Sequence, residues 1–457
     1  MEIYKGIESL KEPIIVVSGV EKAMNGDICK IKTEDKEVMG QVISVDGSNA
    51  VVEVFSSIKG FDKSTQVGFE GRPFSIGVTE FALGRVFNGL GKPIDGSEIV
   101  SEKEASVYGS PINPAKRNKP SDFIQTGISA IDGLNSLVMG QKLPIFSGGG
   151  LPHNDLALQI VKNARTDKNT KFAVIFGAMG ITSRESDKFM SLLDSPSADR
   201  TIIFMNKSND PIIERLILPR VALTYAEYLA FEKDYNVLVV LTDMLNYSDA
   251  LRQLSAEMRQ IPGRRGYPAN LYTDLATIYE RCGRIKGKDG SVTLMPILSM
   301  PADDITHPVP DLTGYITEGQ IVLSRDMFNR KIYPPISIQD SLSRLMDFGV
   351  GAGKTREDHR QVANQLYYAF SKGMDARNLS LLIGEGALSE EDKVYLKFLG
   401  EFEDKFVSQE ISEARDLTTT LGIAWELMAQ LPVLPRITKE IIDKYGIKKD
   451  KDAAVKA

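Results

Sequence analysis

The chain has two cysteines, three histidines and one tryptophan in 457 residues. Cys29 and Cys282 lie far apart and form no C-x-x-C spacing. That argues against a disulfide framework or a zinc ribbon and fits a reducing compartment. No apolar run approaches the ~18 residues of a membrane span. The start, MEIYKGIESLKEPIIVV, lacks the basic region and long apolar region of a signal peptide. A basic excess is missing too: the formal net charge is −6, whereas a nucleic-acid sheath usually carries a positive surplus. No 20–50-residue repeat and no low-complexity segment is visible. What remains is a globular composition, 42% hydrophobic and 25% charged, long enough for about three domains of ~150 residues.

Residues 1–75 read as all-β. Ile14–Val17, Ile28–Ile31, Val38–Val45 and Ala50–Val54 are β-branched runs, punctuated by Gly19, Asn25-Gly26, Gly47 and Gly60. Their spacing suggests a small barrel. No histidine and no carboxylate cluster falls there, so the module reads as structural or assembly-related. Residues 76–350 alternate strand and helix patterns. Phe172–Phe176, Thr201–Met205 and Val237–Leu241 are continuous apolar runs, as for strands covered on both faces. Arg184–Leu193 and Val221–Tyr235 are amphipathic between them. This is the rhythm of a doubly wound parallel sheet. Residues 351–457 are helical. Val394, Phe398, Phe402 and Phe406 form a stripe at four-residue intervals. Ser389 and Asp392 resemble a capping box ahead of it. Thr420–Leu431 and Thr438–Tyr445 follow, separated by Pro432 and Pro435. The expected fold class is mixed: an N-terminal β-barrel, a central α/β P-loop-type nucleotide-fold domain and a C-terminal α-helical bundle.

Ligands of doubly wound sheets sit at the carboxyl ends of the strands. That singles out Gly148–Asp155, Gly177–Ile181 and Thr242–Asp243. The first has the frame of G-x-x-x-x-G-K-[ST], in which backbone N–H groups wrap phosphates, the lysine neutralises charge and the hydroxyl holds Mg²⁺. Gly148, Gly149 and Gly150 keep the glycine start. The second glycine falls on His153, the lysine on Asn154 and the hydroxyl on Asp155. A carboxylate there repels a phosphate charge by about 4 kcal/mol at ~4 Å and an effective dielectric near 20. Weak or no nucleotide binding is expected. Asn154 and Asp155 read more simply as the first residues of a helix.

Asp243 ends a buried run in Walker-B style, where NTPases hold Mg²⁺; the other reading is an N-cap of the next helix. Ile181 stands where a water-orienting acid is expected, and Glu185 falls on the following helix, facing solvent. Gly349–Thr355 imitates a P-loop, but the first glycine of the frame is Phe348 and no buried parallel strand precedes it. It reads as a glycine-rich junction, with Lys354 outside phosphate chemistry.

Pro262–Arg281, followed by Gly283-Arg284-Ile285, resembles the signature of rotary ATPase α/β-type subunits. Leu83–Asp95 and Asp311–Gln320 add to it. Pro334-Pro335-Ile336 with Ser341-Leu342-Ser343 is similar to the family's Pro…Ser-x-Ser signature, from which Ser337 departs by replacing an acid, amide or histidine. The loop Ser147–Asp155 resembles that of the B subunits of V/A-type ATPases. The resemblance implies three such chains alternating with three catalytic A subunits in an A3B3 hexamer around a central stalk, with a peripheral stalk alongside. It places the chain on the cytoplasmic side, peripheral to the membrane and linked indirectly to the ion-translocating sector. By itself the chain is then no enzyme. It holds no tightly bound cofactor; ATP or ADP with Mg sits at the interface with the partner. Arg344, in Ser343-Arg344-Leu345, takes the position of an arginine finger reaching into the partner's ATP site. Two rivals fit less well. A self-sufficient hexameric ATPase of the secretion or flagellar type needs Gly-Lys-Thr and an acid at position 181. An RNA-translocating hexamer needs a basic, aromatic-bearing N-terminal domain.

Overall fold

The computed structural model describes residues 2–33, 36–62, 64–166 and 170–447. The chain divides into two compact units. The first holds Met1–Asn118, Lys171–Ser299 and Ile305–Ile316; the second holds Lys119–Thr170, Met300–Asp304 and Thr317–Ala457.

The first unit opens with a seven-stranded antiparallel half-barrel. Its strands run, in spatial order, Glu2–Lys5, Gln66–Pro73, Asp27–Lys32, Glu37–Asp46, Asn49–Val54, Ile14–Val17 and Ile7–Lys11. β-Branched side chains suit a pleated surface, and Ile15, Val17, Ile31, Val52, Val54 and Val67 are fully buried in one core. Gly40 sits where the sheet has no room: a Cβ there would lie 2.8 Å from the Glu53 carbonyl oxygen.

One member of this sheet conflicts with its surroundings. Glu53 is 4% exposed, and its Oε1 has no hydrogen-bond partner. Burial raises its pKa to about 8. A carboxyl group whose folded pKa lies above its unfolded value of 4.5 binds its proton more tightly when folded. Folding stability is therefore undiminished below about pH 4.5, falls as the pH rises toward 8, and stays reduced beyond it. Glu53→Gln keeps the shape without the charge. We expect it to flatten that pH dependence and to stabilise the chain by roughly 1–3 kcal/mol at alkaline pH, read from denaturant unfolding between pH 4 and 9. Parallel pH curves for the two proteins would reject this account.

The same unit carries the parallel sheet. Ser291–Met300, Asn236–Thr242, Phe172–Ile181, Thr201–Lys207 and Val86–Asn88 lie side by side in that order. Apart from the half-buried Phe172, their apolar runs are buried, as a sheet covered on both faces requires. The helix expected from Val221 begins earlier, at Ile212, and runs to Glu232 through Pro219. A proline interior to a helix normally breaks it. Here Leu216, Ile217, Leu218, Val221 and Ala222 around it are all buried, so tertiary packing holds the segment helical.

Arg281, the last residue of the Pro262–Arg281 stretch, is fully buried. Its guanidinium forks onto both Glu227 oxygens at 2.7 Å. It also donates to the Val107 carbonyl at 3.0 Å, the Arg220 carbonyl at 3.2 Å and the Thr224 hydroxyl at 2.9 Å.

In the second unit, the strand Ile145–Gly148 pairs in parallel with Gly319–Leu323, which pairs antiparallel with Ile336–Ser343. Helix Glu390–Glu401 carries the first half of the aromatic stripe, and helix Leu417–Met428 follows in sequence. Phe398 stacks on Phe402 (ring centroids 5.8 Å) and Phe402 on Phe406 (5.2 Å). The stripe outlasts its α-helix, because Phe402–Val407 forms a π-helical turn. Ser389 Oγ accepts from the Asp392 N–H at 3.1 Å, as an N-cap does. The reciprocal bond differs from a capping box: the Ser389 hydroxyl itself donates to the Asp392 carboxylate at 2.6 Å. The junction Gly349–Thr355 closes on itself, the Gly351 carbonyl accepting from the Lys354 and Thr355 N–H groups at 3.0 and 2.9 Å. The Lys354 ammonium donates to the Phe348 carbonyl of its own loop.

Candidate functional site

Two of the three strand ends lie in the first unit. Ala178 of one strand is level with Thr242 of the next, so Gly177–Ile181 and Asp243 share the carboxyl edge of the parallel sheet. Ile181 is 4% exposed, an apolar plug without proton chemistry. Glu185 turns back onto its own helix start: its carboxylate accepts from the Thr182 N–H and hydroxyl, both at 2.8 Å. Asp243 caps the helix Met244–Glu257. Its Oδ1 accepts from the Leu245 N–H at 2.8 Å and from the Ser299 N–H at 3.0 Å.

The glycine loop lies in the second unit. Ile145–Gly148 leads into it and the helix His153–Asn163 follows, so the strand–loop–helix frame is present. Pro152 starts that helix without a side-chain cap, and His153, Asn154 and Asp155 form its first turn. Asp155 thus lies where a helix dipole favours negative charge. The His153 ring (Nδ1) and Ser147 Oγ are 3.1 Å apart. Gly150 has φ +80°, the left-handed region that glycine enters without strain.

A side-chain pair closes over this loop. Arg325 donates to the Gly149 carbonyl at 2.8 Å and forks onto Asp303 at 2.5 and 2.8 Å. A Cβ on Gly148 would stand 2.0 Å from Asp303 Oδ1. Ala302 and Asp303 both have positive φ, 56° and 57°, a costly backbone for residues with a Cβ. The Arg325 guanidinium at the loop is therefore already paired with a carboxylate. With Asn154 and Asp155 in the lysine and hydroxyl positions, the residues present do not fit a magnesium-bound phosphate. Neither Arg325 nor Asp303 was singled out from sequence. The available signal was Ser324-Arg325 directly after the strand Gly319–Leu323.

Arg344 has the opposite character. Alternation along the returning strand turns Ser341 and Ser343 inward and Leu342 and Arg344 outward. Ser341 Oγ accepts from the Val322 N–H at 3.0 Å, and Ser343 Oγ donates to the Ser136 carbonyl at 2.9 Å. The Ser-x-Ser pattern is thereby a pair of internal ties. Ser337 is spent locally, donating to the Asp340 carboxylate at 2.7 Å within a bulge. The Arg344 N–H is held by the Glu318 carbonyl at 3.1 Å. Its side chain is exposed and has no hydrogen-bond or ion-pair partner among the described residues. A cavity of about 610 Å³ opens against the same strand, lined by Leu134, Ile338, Leu342, Met346, Tyr367 and Phe370 among others.

Strand direction separates Arg344 from the glycine loop. Phe146 is level with Val322, which puts Gly148 near Ser324. Ser343 is level with Gly319 at the other end of that strand. The two sites are about six residues, or roughly 20 Å, apart along the sheet. Arg344 does not serve its own chain's loop.

A parallel sheet with ligand positions on its carboxyl edge, a glycine loop opening a helix and a helical segment beyond define a P-loop-type nucleotide-fold protein. Residues 127–343 match the nucleotide-binding domain of the ATP synthase alpha/beta family, and residues 349–449 match the C-terminal domain of V and A type ATP synthase. Among solved structures the chain is similar to the ATP synthase subunit NeqB from Nanoarcheaum equitans, with 40% identity, 93% of this chain and 100% of that chain covered, and a TM-score of 0.75. The chain belongs to the ATP synthase alpha/beta family, in its V/A-type branch. No helix among the described residues is long and apolar enough to cross a membrane.

Proposed function

We propose that this chain is the non-catalytic B subunit of a rotary V/A-type ATPase or ATP synthase. It alternates with catalytic A subunits in an A3B3 hexamer and lends Arg344 to the A subunit's ATP site. ATP or ADP with Mg binds at that interface, in the partner's phosphate loop. Central and peripheral stalks then couple the hexamer to an ion-translocating membrane sector, from the cytoplasmic side.

The observation that carries this reading is Arg344 itself. It is an exposed guanidinium without a partner among the described residues, held by its backbone at the end of the sheet opposite the chain's own glycine loop. An unpaired arginine with a fixed base is suited to a charge on another molecule. The chain's own loop supports the other half of the proposal, since the Arg325 guanidinium beside it is neutralised by Asp303. Phosphoryl transfer depends on positioning and on charge stabilisation at the transferring group. In this arrangement the partner supplies the phosphate cradle and the water-orienting acid, and this chain supplies one cation.

The test is reconstitution. The purified chain alone is expected to show negligible ATP hydrolysis, and activity should appear when the catalytic partner is added. Robust turnover by the lone chain would overturn the proposal.

A further inference from the structure

Arg344 follows a strand tied down by a buried polar cluster that its guanidinium does not touch. Gln141 is fully buried, and its amide donates to Ser343 Oγ at 3.0 Å and to the Glu318 carbonyl at 3.0 Å. That same carbonyl accepts the Arg344 N–H. The Glu318 carboxylate is held in turn by Lys142. The Lys142 N–H donates to Oε2 at 2.7 Å, and the ammonium lies 2.8 Å from Oε1. The Glu318 N–H donates back to the Lys142 carbonyl at 3.0 Å. The Lys142 side chain is 4% exposed.

A buried ammonium is expensive unless paired, and an apolar residue of similar size often serves stability as well or better. Stability alone is therefore a poor reason for Lys142. What the cluster does hold is geometry. Gln141 holds the Glu318 carbonyl and Lys142 the Glu318 N–H and carboxylate, and that carbonyl is the hydrogen-bond anchor of the Arg344 N–H. An arginine with no side-chain partner has only its backbone to set where it starts. A misplacement of about 1 Å at a reacting centre can cost ~10²-fold in rate.

We infer that Gln141, Lys142 and Glu318 are positioning residues for Arg344. They fix the Glu318 carbonyl that anchors the Arg344 N–H, and so set where the guanidinium starts toward the partner's phosphate. The inference rests on the trans role proposed for Arg344.

The experiment is a double-mutant cycle in the reconstituted complex, reading kcat and KM for ATP. Lys142→Met is expected to lower kcat about tenfold with KM changed less than about twofold. In an Arg344→Ala background the same substitution is expected to change kcat less than about twofold, because the group it positions is gone. An equal loss in both backgrounds means that the cluster merely holds the fold together, and overturns the inference. So does a normal kcat for Lys142→Met where Arg344→Ala alone is slow. If Arg344→Ala is itself as fast as wild type, the trans role fails first and the inference falls with it. Should Lys142→Met not assemble, Glu318→Gln, which keeps the side-chain shape, is carried through the same cycle with the same criteria.

Discussion

Replacing Arg344 with alanine is expected to lower turnover of the assembled complex by about a hundredfold or more, with assembly intact. The size follows from the chemistry. A guanidinium at a transferring phosphoryl group stabilises charge that develops in the transition state, and arginine fingers are worth ~10³–10⁵ in rate. The intact assembly follows from the structure. Arg344 is exposed and its side chain bonds to none of the described residues, so truncation leaves no buried group among them unsatisfied. Surface changes of that kind usually fall within about 0.5 kcal/mol. Arg344→Lys is expected to recover only a small part of the rate. An ammonium carries the charge but lacks the planar fork that engages two phosphate oxygens. Steady-state hydrolysis by complexes checked for composition by size-exclusion chromatography settles the matter. Near-normal turnover of the alanine variant would reject the assignment.

Arg281→Ala should do the reverse, damaging the fold rather than the rate. Arg281 is fully buried and all three of its nitrogens are engaged. Its removal leaves the Glu227 carboxylate without its fork and the Val107 and Arg220 carbonyls without this donor. Breaking a buried pair by deleting one partner typically costs about 3–5 kcal/mol. At an unfolding entropy of ~2.1 cal/mol/K per residue, that corresponds for a chain of this size to a fall in melting temperature of roughly 3–5 °C. Gly109 adds to the constraint, because a Cβ at that position would lie 2.5 Å from the guanidinium. Arg281→Lys should recover little, since one ammonium cannot reproduce three separately directed donors. Thermal unfolding of the isolated chain is the measurement, and a loss below about 1 kcal/mol would contradict this reading. The two arginines thus separate cleanly: one is expected to move kcat and spare stability, the other to move stability.

Much of the architecture was legible in the residues. Continuous apolar runs announced the parallel strands, because strands covered on both faces have no polar side to reveal. Four-residue spacing announced the aromatic stripe of the helical segment. The legible pattern failed where tertiary packing overrode a local rule. Pro219 reads as a helix break, yet the helix runs through it because its neighbours are buried. Phe402 and Phe406 keep the helical stripe, but over a wider π-helical turn.

The same division holds for the candidate site. The absence of a lysine and a hydroxyl at Asn154 and Asp155, and of an acid at Ile181, can be read position by position. Charge and hydrogen-bonding capacity belong to the side chain whatever surrounds it. The sequence by itself therefore determined what this chain's own loop lacks. Only the tertiary structure decided where the remaining cations stand. Arg325 is tied to Asp303 across the loop, Arg281 is enclosed by Glu227 and main-chain carbonyls, and Arg344 is left unpaired among the described residues. Local sequence places Arg281 and Arg344 in signature stretches but does not reveal what any of the three side chains touches. Their roles depend on strand direction and burial, which are set by pairing between segments nearly two hundred residues apart, such as Ile145–Gly148 with Gly319–Leu323. The antiparallel return of Ile336–Ser343 then places Arg344 at the far end of the sheet from its own loop.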